Sequence, residues 1–219
     1  MSAMHNLTYG LFVLTACQDG KNNGCIINTA MQVTTTPNRI SIAVNKANYT
    51  HKMITETGAF NVSIISEKAD FELFKRFGFQ SGSDTDKFAD FDGYKISDNG
   101  IAYVTEGTNA YICAKVIDST DLGTHTLFIA DVVDMNVISD NASVTYAYYH
   151  ANIKPKPQEK KKTEEGKSTW RCTICGYEYT GEELPEDFVC PLCKHPASDF
   201  GVIKKLRNNE ELERHGTLL

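Results

Sequence analysis

Two Cys-x-x-Cys pairs, Cys172/Cys175 and Cys190/Cys193, lie within WRCTICGYEYTGEELPEDFVCPLCKH, residues 170–195. No other feature limits the fold so tightly. Four thiolates at this spacing form the ligand set of one tetrahedral metal, and both zinc and iron accept them. The spacing therefore fixes a metal and leaves zinc and iron open. A disulfide pair is the competing reading, and the compartment decides against it. No apolar run approaches the roughly 20 residues needed to span a bilayer. The opening MSAMHNLTYG has no basic stretch leading into an apolar one. A cytoplasmic, reducing setting is the expectation, and there clustered cysteines serve metals.

The residues around the cysteines narrow the choice. Cys172-Thr-Ile-Cys175-Gly176-Tyr177 and Cys190-Pro191-Leu192-Cys193 read as two matching knuckles, and Trp170, Tyr177, Tyr179, Phe188 and Phe200 supply an aromatic shell. With its C-x-x-C-G-Y opening, its D-F-V-C-P-L-C closing and Trp170, the segment resembles rubredoxin. The stretch between knuckles is shorter than in free rubredoxins, closer to the abbreviated domain at the C-terminus of rubrerythrins. The resemblance implies one iron held by Cys172, Cys175, Cys190 and Cys193, cycling between two oxidation states with the same ligands. A structural zinc ribbon is the alternative.

Upstream, residues 8–150 read as mixed β with short helices. DGKNNG (19–24) marks a hairpin turn, RISIAV (39–44) and AFNVSII (59–65) are strands, and THKMITETG (50–58) and ADFELFKRFGF (69–79) have helical signals. Residues 80–92 are a loop. AYICAKVIDST and HTLFIADVVDMNVI form long alternating runs around the turn at 121–123, and VTYAYYH (144–150) is a further expected strand. Many antiparallel strands with few helices suggest a barrel. Cys17, Cys25 and Cys113 fall in expected strands as inert buried thiols.

Residues 151–169, ANIKPKPQEKKKTEEGKST, have two prolines, six lysines and three glutamates and no periodic apolar pattern. That is the composition of a linker, whose root-mean-square span as a coil is about 25 Å. The domains expected are therefore 1–150, the linker 151–169, the metal module 170–203 and a tail 204–219. Charge is −6 overall, with the linker at +3 and the segment from Trp170 onward at −3. The metal module lacks the basic face of a nucleic-acid binder.

No G-x-G-x-x-G and no Walker A motif occurs, so a Rossmann dinucleotide site is not expected. What remains is N-G-C-I-I-N-T-A-M-Q (23–32), N-K-A-N-Y-T-H (45–51), D-K-F (86–88) and G-T-H-T-L-F (123–128). Together, in this order, they resemble the flavin reductase-like, FMN-binding split-barrel family and its flavoredoxin-like branch. The fold expected is mainly β: an N-terminal FMN-binding split β-barrel with short helices, plus a small C-terminal rubredoxin-like iron-binding domain. The joined arrangement is similar to the high-molecular-weight rubredoxins of anaerobic bacteria.

The resemblance implies FMN contacts from the strand Asn28, Thr29, Ala30, Met31 and Gln32, and from Asn45, Asn48, Tyr49, Thr50 and His51, where a helix N-terminus suits the phosphate. Lys87 and His125 would approach the flavin, where a cation stabilises the reduced form, and Tyr148 would cover the ring. The implied activity is that of an NAD(P)H:rubredoxin oxidoreductase. A nicotinamide, NADH or NADPH, would reduce FMN, the iron would take electrons singly, and a flavodiiron protein that reduces O2 or NO would accept them. A homodimer is the implied form, with no membrane and no nucleic acid as partner. The rival readings are a non-enzymatic electron carrier reduced by another protein and an FMN-binding protein with a structural zinc ribbon.

Overall fold

A computed structural model of the chain describes residues 6–155, 168–173, 177–181, 183–191 and 195–203. They fall in two compact units, Met1–Pro155 and Lys156–Leu219. Most of the expected linker, the whole tail, Cys175 and Cys193 lie outside the described residues.

The first unit is built on one seven-stranded antiparallel sheet. In chain order its strands are β1 (Phe12–Gln18), β2 (Lys21–Ile27), β3 (Met31–Thr35), β4 (Asn38–Asn45), β5 (Ala59–Ile65), β8 (Thr108–Asp121) and β9 (His125–Val137). Their order across the sheet is β2-β1-β5-β8-β9-β4-β3. Between β5 and β8, β6 (Tyr94–Ile96) and β7 (Ala102–Val104) form a separate short hairpin, which the sequence pattern did not signal. Asn61 anchors that hairpin: its buried amide donates to Ser97 Oγ at 2.8 Å and to Ile101 O at 3.0 Å.

Local chemistry explains the main turns. β1 and β2 pair out to Gln18↔Lys21, and the two residues between them, Asp19 and Gly20, have φ of 51° and 76°. A two-residue turn with both central φ positive matches the twist of the flanking strands. Helix α1 (Tyr49–Thr57) stops where Gly58, at φ 69°, sends its N–H back to Ile54 O. Helix α2 (Phe71–Gly78) starts where the Asp70 carboxylate accepts from Leu73 N, and it buries Leu73, Phe74 and Phe77 on one face.

The core has two parts. One lies under α1, with Leu14, Ile42, Val44, Met53, Ile54, Phe60 and Val62; the other lies under α2, with Val13, Ile65, Leu73, Phe74, Phe77, Val104 and Val144.

Two expectations are corrected. VTYAYYH is not a strand: Tyr146–Tyr148 form a helical turn, α3, and Tyr149–Ile153 continue it as a wider turn. Thr145 caps it by accepting from Tyr148 N, and Tyr146 meets His150 at 4.5 Å between ring centroids. These rings pack at helical i, i+4 spacing, which overrides the alternating pattern. Asn28–Gln32 is not one strand either. β3 begins at Met31, and residues 28–30 link the two edge strands of the sheet, β2 and β3. The Thr29 hydroxyl ties that link to β4, donating to Ala43 O at 2.7 Å and accepting from Ala43 N at 3.2 Å.

In the second unit β10 (Ser168–Cys172) pairs with β11 (Glu178–Gly181) on one side and β12 (Phe200–Ile203) on the other. Trp170, Tyr177, Tyr179, Phe188 and Phe200 make a ring cluster, the tightest pair being Tyr179 and Phe188 at 4.6 Å.

Candidate functional site

Because β2 and β3 are the two edges of the sheet, the seam between them leaves backbone groups without ladder partners. Several expected binding residues collect at one end of this seam. Asn45, the last residue of β4, sits opposite His125, the first of β9. From Asn45 the chain turns: its side-chain oxygen accepts from Ala47 N at 2.9 Å and its carbonyl accepts from Asn48 N at 3.0 Å. Lys46 reaches Asp121 at 2.7 Å. His51 Nε2 meets Thr126 Oγ1 at 2.8 Å, and burial, helped by Lys46, pulls the His51 imidazole below its ordinary value. His125 Nδ1 lies 2.9 Å from Thr124 Oγ1. Thr29, Asn45, Asn48, His51 and His125 thus form one polar shelf.

Helix α1 opens onto this shelf without a side-chain cap. Asn48 is the N-cap residue, but its side chain makes no cap bond and its amide approaches Cys25 Sγ at 3.7 Å instead. The first turn of α1 has no acidic residue. An uncapped helix start presents N–H donors and the positive end of the helix dipole, which suits a phosphate. Tyr49 is exposed at this start, whereas Thr50 points inward: it is 1% exposed and accepts from Asn23 Nδ2 at 2.9 Å.

Lys87 is placed differently from an ordinary loop lysine. It is 3% exposed, and its Nζ donates to Gly24 O of β2 at 2.8 Å and to Phe77 O, in the last turn of α2, at 3.2 Å. The charge at the end of α2 is favourable. No carboxylate among the described residues forms an ion pair with it. Burial pulls the ammonium below its ordinary value, with an opposing effect from Cys25. The Cys25 thiol is pushed up by burial, offset in part by Thr50 and Lys87. An ammonium has three donors, so one remains for a ligand.

Lys87, Cys25 and Asn48 share a cavity of about 260 Å³ whose other walls include Phe74, Phe77, Phe79, Tyr146 and Tyr149. Asn48 belongs to both shelf and cavity. Tyr148 does not line the cavity; it is half-buried and packs against the core under α2. Nothing in the sequence pointed to the cavity's aromatic walls except the richness in rings of ADFELFKRFGF and TYAYYH, which reads equally well as core.

Four large apolar side chains of the sheet are exposed: Met31 of β3, and Val133, Met135 and Val137 in the part of β9 away from His125, all between 57% and 69% exposed. Gln32 is tied to Asn38, whose amide in turn approaches Met135 Sδ at 3.8 Å.

In the second unit, Cys172 and Cys190 are 1% and 0% exposed. Their surroundings repeat. Cys172 N donates to Tyr177 O at 2.8 Å, and Cys190 N donates to His195 O, five residues on in each case, also at 2.8 Å. Two equivalent turns with a buried cysteine at the start of each, wrapped by aromatic rings, fit a thiolate-bound metal shielded from water. The partners Cys175 and Cys193 fall outside the described residues.

Comparison with known proteins bears on both units. Residues 4–156 match the flavin reductase like domain family, and residues 170–201 match the rubrerythrin, rubredoxin-like domain family. The chain is 37% identical to a high molecular weight rubredoxin of Moorella thermoacetica over 87% of this chain and 94% of that protein. It is 39% identical to a ferric-chelate reductase (NAD(P)H) of Archaeoglobus fulgidus over 71% of this chain and 92% of that protein. The fold is shared with a solved FMN-binding protein from Thermus thermophilus, at a TM-score of 0.57 and 18% identity over 63% of this chain and 75% of that one.

Proposed function

The chain belongs to the flavin reductase-like family, with a rubredoxin-like domain behind it, and from that premise we propose that it moves electrons from NADH or NADPH through FMN to a mononuclear iron held by four cysteine thiolates, and from there to a protein acceptor. When bound, FMN accepts a hydride and gives up its two electrons singly, and the iron carries one at a time. The chain's own residues bind and orient these groups. The uncapped start of α1, with Asn48 and the Tyr49 and Thr50 amides, would receive the phosphate, and Lys87 would supply the cation. The link at residues 28–30 and the outer edge of β3 at Met31 and Gln32 would offer backbone groups to the ring edge, with His125, which pairs with Asn45 at the end of β4, as a further contact. Cys172, Cys175, Cys190 and Cys193 would hold the iron.

One observation carries the reading: a buried lysine with no carboxylate partner among the described residues, beside a helix start with no cap. A buried cation without a counter-charge is costly, and a phosphate removes that cost. The exposure of Met31, Val133, Met135 and Val137 supports a homodimer that covers them. The acceptor we favour is a flavodiiron O2 or NO reductase, as the resemblance to the high-molecular-weight rubredoxins implies. A second reading is favoured by the Archaeoglobus relative, which the chain matches through the first unit: that unit alone would reduce soluble ferric chelates.

The test is an absorption spectrum of the anaerobically purified protein before and after NADH or NADPH. Flavin bands and a red ferric-thiolate band, both bleached by the nicotinamide, are expected. A stoichiometric zinc content without iron would rule out the relay. Flavin that no nicotinamide reduces would leave a carrier fed by another protein.

A further inference from the structure

We propose that Asn23 is a positioning residue for the flavin phosphate: its buried amide, pressed on by Gly82 of the loop after α2, holds the first turn of α1 where the Tyr49 and Thr50 amides can meet that phosphate. The inference rests on the flavin reading above, since that reading places the phosphate at the start of α1.

The residue type is the first reason. Asparagine is depleted in strands, and in the sequence Asn23 reads as part of a turn cluster. The structure places it inside β2, opposite Ala16 of β1 and 4% exposed. An amide buried this deeply calls for a hydrogen-bonding reason. Its Nδ2 donates to Thr50 Oγ1 at 2.9 Å. Thr50 is the second residue of α1 and is itself buried. The bond therefore ties to β2 the very turn whose first amides have no intrahelical partner.

Strand geometry is the second. Successive side chains of β2 point to opposite faces. Asn23 and Cys25 face α1, where they meet Thr50 and Asn48. Gly24 and Ile26 face α2: the Phe77 ring fills the place of a side chain at Gly24, and Ile26 packs on Gly78. The Lys87 ammonium bonds Gly24 O. Three consecutive residues of one edge strand thus hold both the start of α1 and the cation assigned to the phosphate.

Close approach is the third. The loop after α2 meets Asn23 at Gly82. A Cβ there would stand 2.6 Å from Asn23 Nδ2 and nearer still to its Oδ1 and Cγ. The φ of Gly82 is not positive, so contact with the amide, and not backbone conformation, is what excludes a side chain. A methyl group at this position has to push the amide away from Thr50 or lift the loop off it. Either way the amide loses one of the two contacts that hold it.

The experiment uses the full flavin-free chain, Asn23→Ala, Gly82→Ala and the double variant. Fluorescence titration gives the affinity of each for FMN and for riboflavin, the same flavin without its phosphate. Asn23→Ala should weaken FMN about three- to ten-fold and leave riboflavin within about two-fold. Gly82→Ala alters a half-buried loop position outside both core clusters, so it tests the contact even if Asn23→Ala fails to fold. It should show the same selective loss. In the double variant the added methyl has room, and FMN affinity should match that of Asn23→Ala alone. Equal losses for FMN and riboflavin would make Asn23 a structural residue only and refute the inference. Unchanged affinities, or losses that add in the double variant, would refute it too. A wild-type chain that binds riboflavin as tightly as FMN would instead overturn the phosphate reading, and this inference with it.

Discussion

The two units hold their ligands by opposite strategies. In the second unit the ligand is part of the fold. Its described strands β10, β11 and β12 have four or five residues of ladder each, and among its described residues only Cys172 and Cys190 are buried, with a cluster of half-buried rings. So small a core supplies little stability, and binding of the metal is then folding free energy. In the first unit the ligand is an addition. Fourteen buried residues form the larger of its two core clusters, and the seven-stranded sheet closes around them whether or not anything sits on the shelf. Metal loss should therefore unfold, whereas flavin loss should only empty a site.

The sharpest way to break this contrast is Cys190→Ser. The variant should lose iron, the red absorption and the folded signals of the second unit altogether, since three thiolates cannot complete the tetrahedron. NADH-dependent reduction of FMN should stay within about two-fold of wild type, because that site lies in the other unit. Stopped-flow spectroscopy and metal analysis read both halves. If hydride transfer to bound FMN collapses as well, the units are not independent and the comparison fails.

Lys87→Met tests the other half. Removing a bond to a charged group costs about 1.5–3 kcal/mol, so FMN affinity should fall roughly ten- to a hundred-fold. Stability of the flavin-free protein should change far less. The lost bonds to Gly24 O and Phe77 O are unfavourable, and removal of an unpaired buried charge is favourable. Calorimetry and fluorescence titration separate the two. A large drop in thermal midpoint with FMN affinity unchanged would make Lys87 a structural clasp between β2 and α2 and nothing more.

The same contrast explains what the sequence could reveal. The metal site is written within 22 residues, Cys172 to Cys193, so its spacing is its geometry. The shelf and the cavity beside it are assembled by pairings that are long-range: Asn45 against His125 and Ala43 against Thr29 in the one, Lys87 against Gly24 in the other. No local pattern encodes these, and only resemblance to a family brought the residues together. Lys87 sits in a loop rich in aspartate, where a solvated charge is the ordinary expectation; its burial depends on α2 and β2 meeting above it. Around Tyr146 the local signal was present but ambiguous. Tyr146 and Tyr148 alternate like a strand, while Tyr146, Tyr149 and His150 repeat like a helix, and the packing of Tyr149 on Phe74 decides. The seam at residues 28–30 was invisible for a related reason: where a sheet ends is set by strand order, not by the composition of the strand.

The smallest expected effect is on pH dependence, and its sign follows from Lys87. Burial lowers its value in the flavin-free protein, and a phosphate beside it would raise it again. Binding then takes up a proton at every pH between those two values. Below the window Lys87 is charged in both states and FMN affinity is flat. Within it, log affinity should fall by up to about one unit per pH unit as pH rises, before the ordinary lysine value of about 10.4 is reached. The FMN phosphate does not confuse the result, because its second ionisation, near about pH 6, is complete by then. His51 does not either, since its lowered value keeps it neutral there. Stability of the flavin-free protein runs the opposite way. A depressed folded value means that its contribution is present above the unfolded value and is lost as pH falls through the folded one. Raising pH through this range should therefore firm the empty barrel while it weakens its hold on FMN. Lys87→Met should abolish both slopes. If wild type and variant show the same pH profile for FMN affinity, the phosphate does not lie at Lys87, and the cation of this site must be sought on the shelf itself.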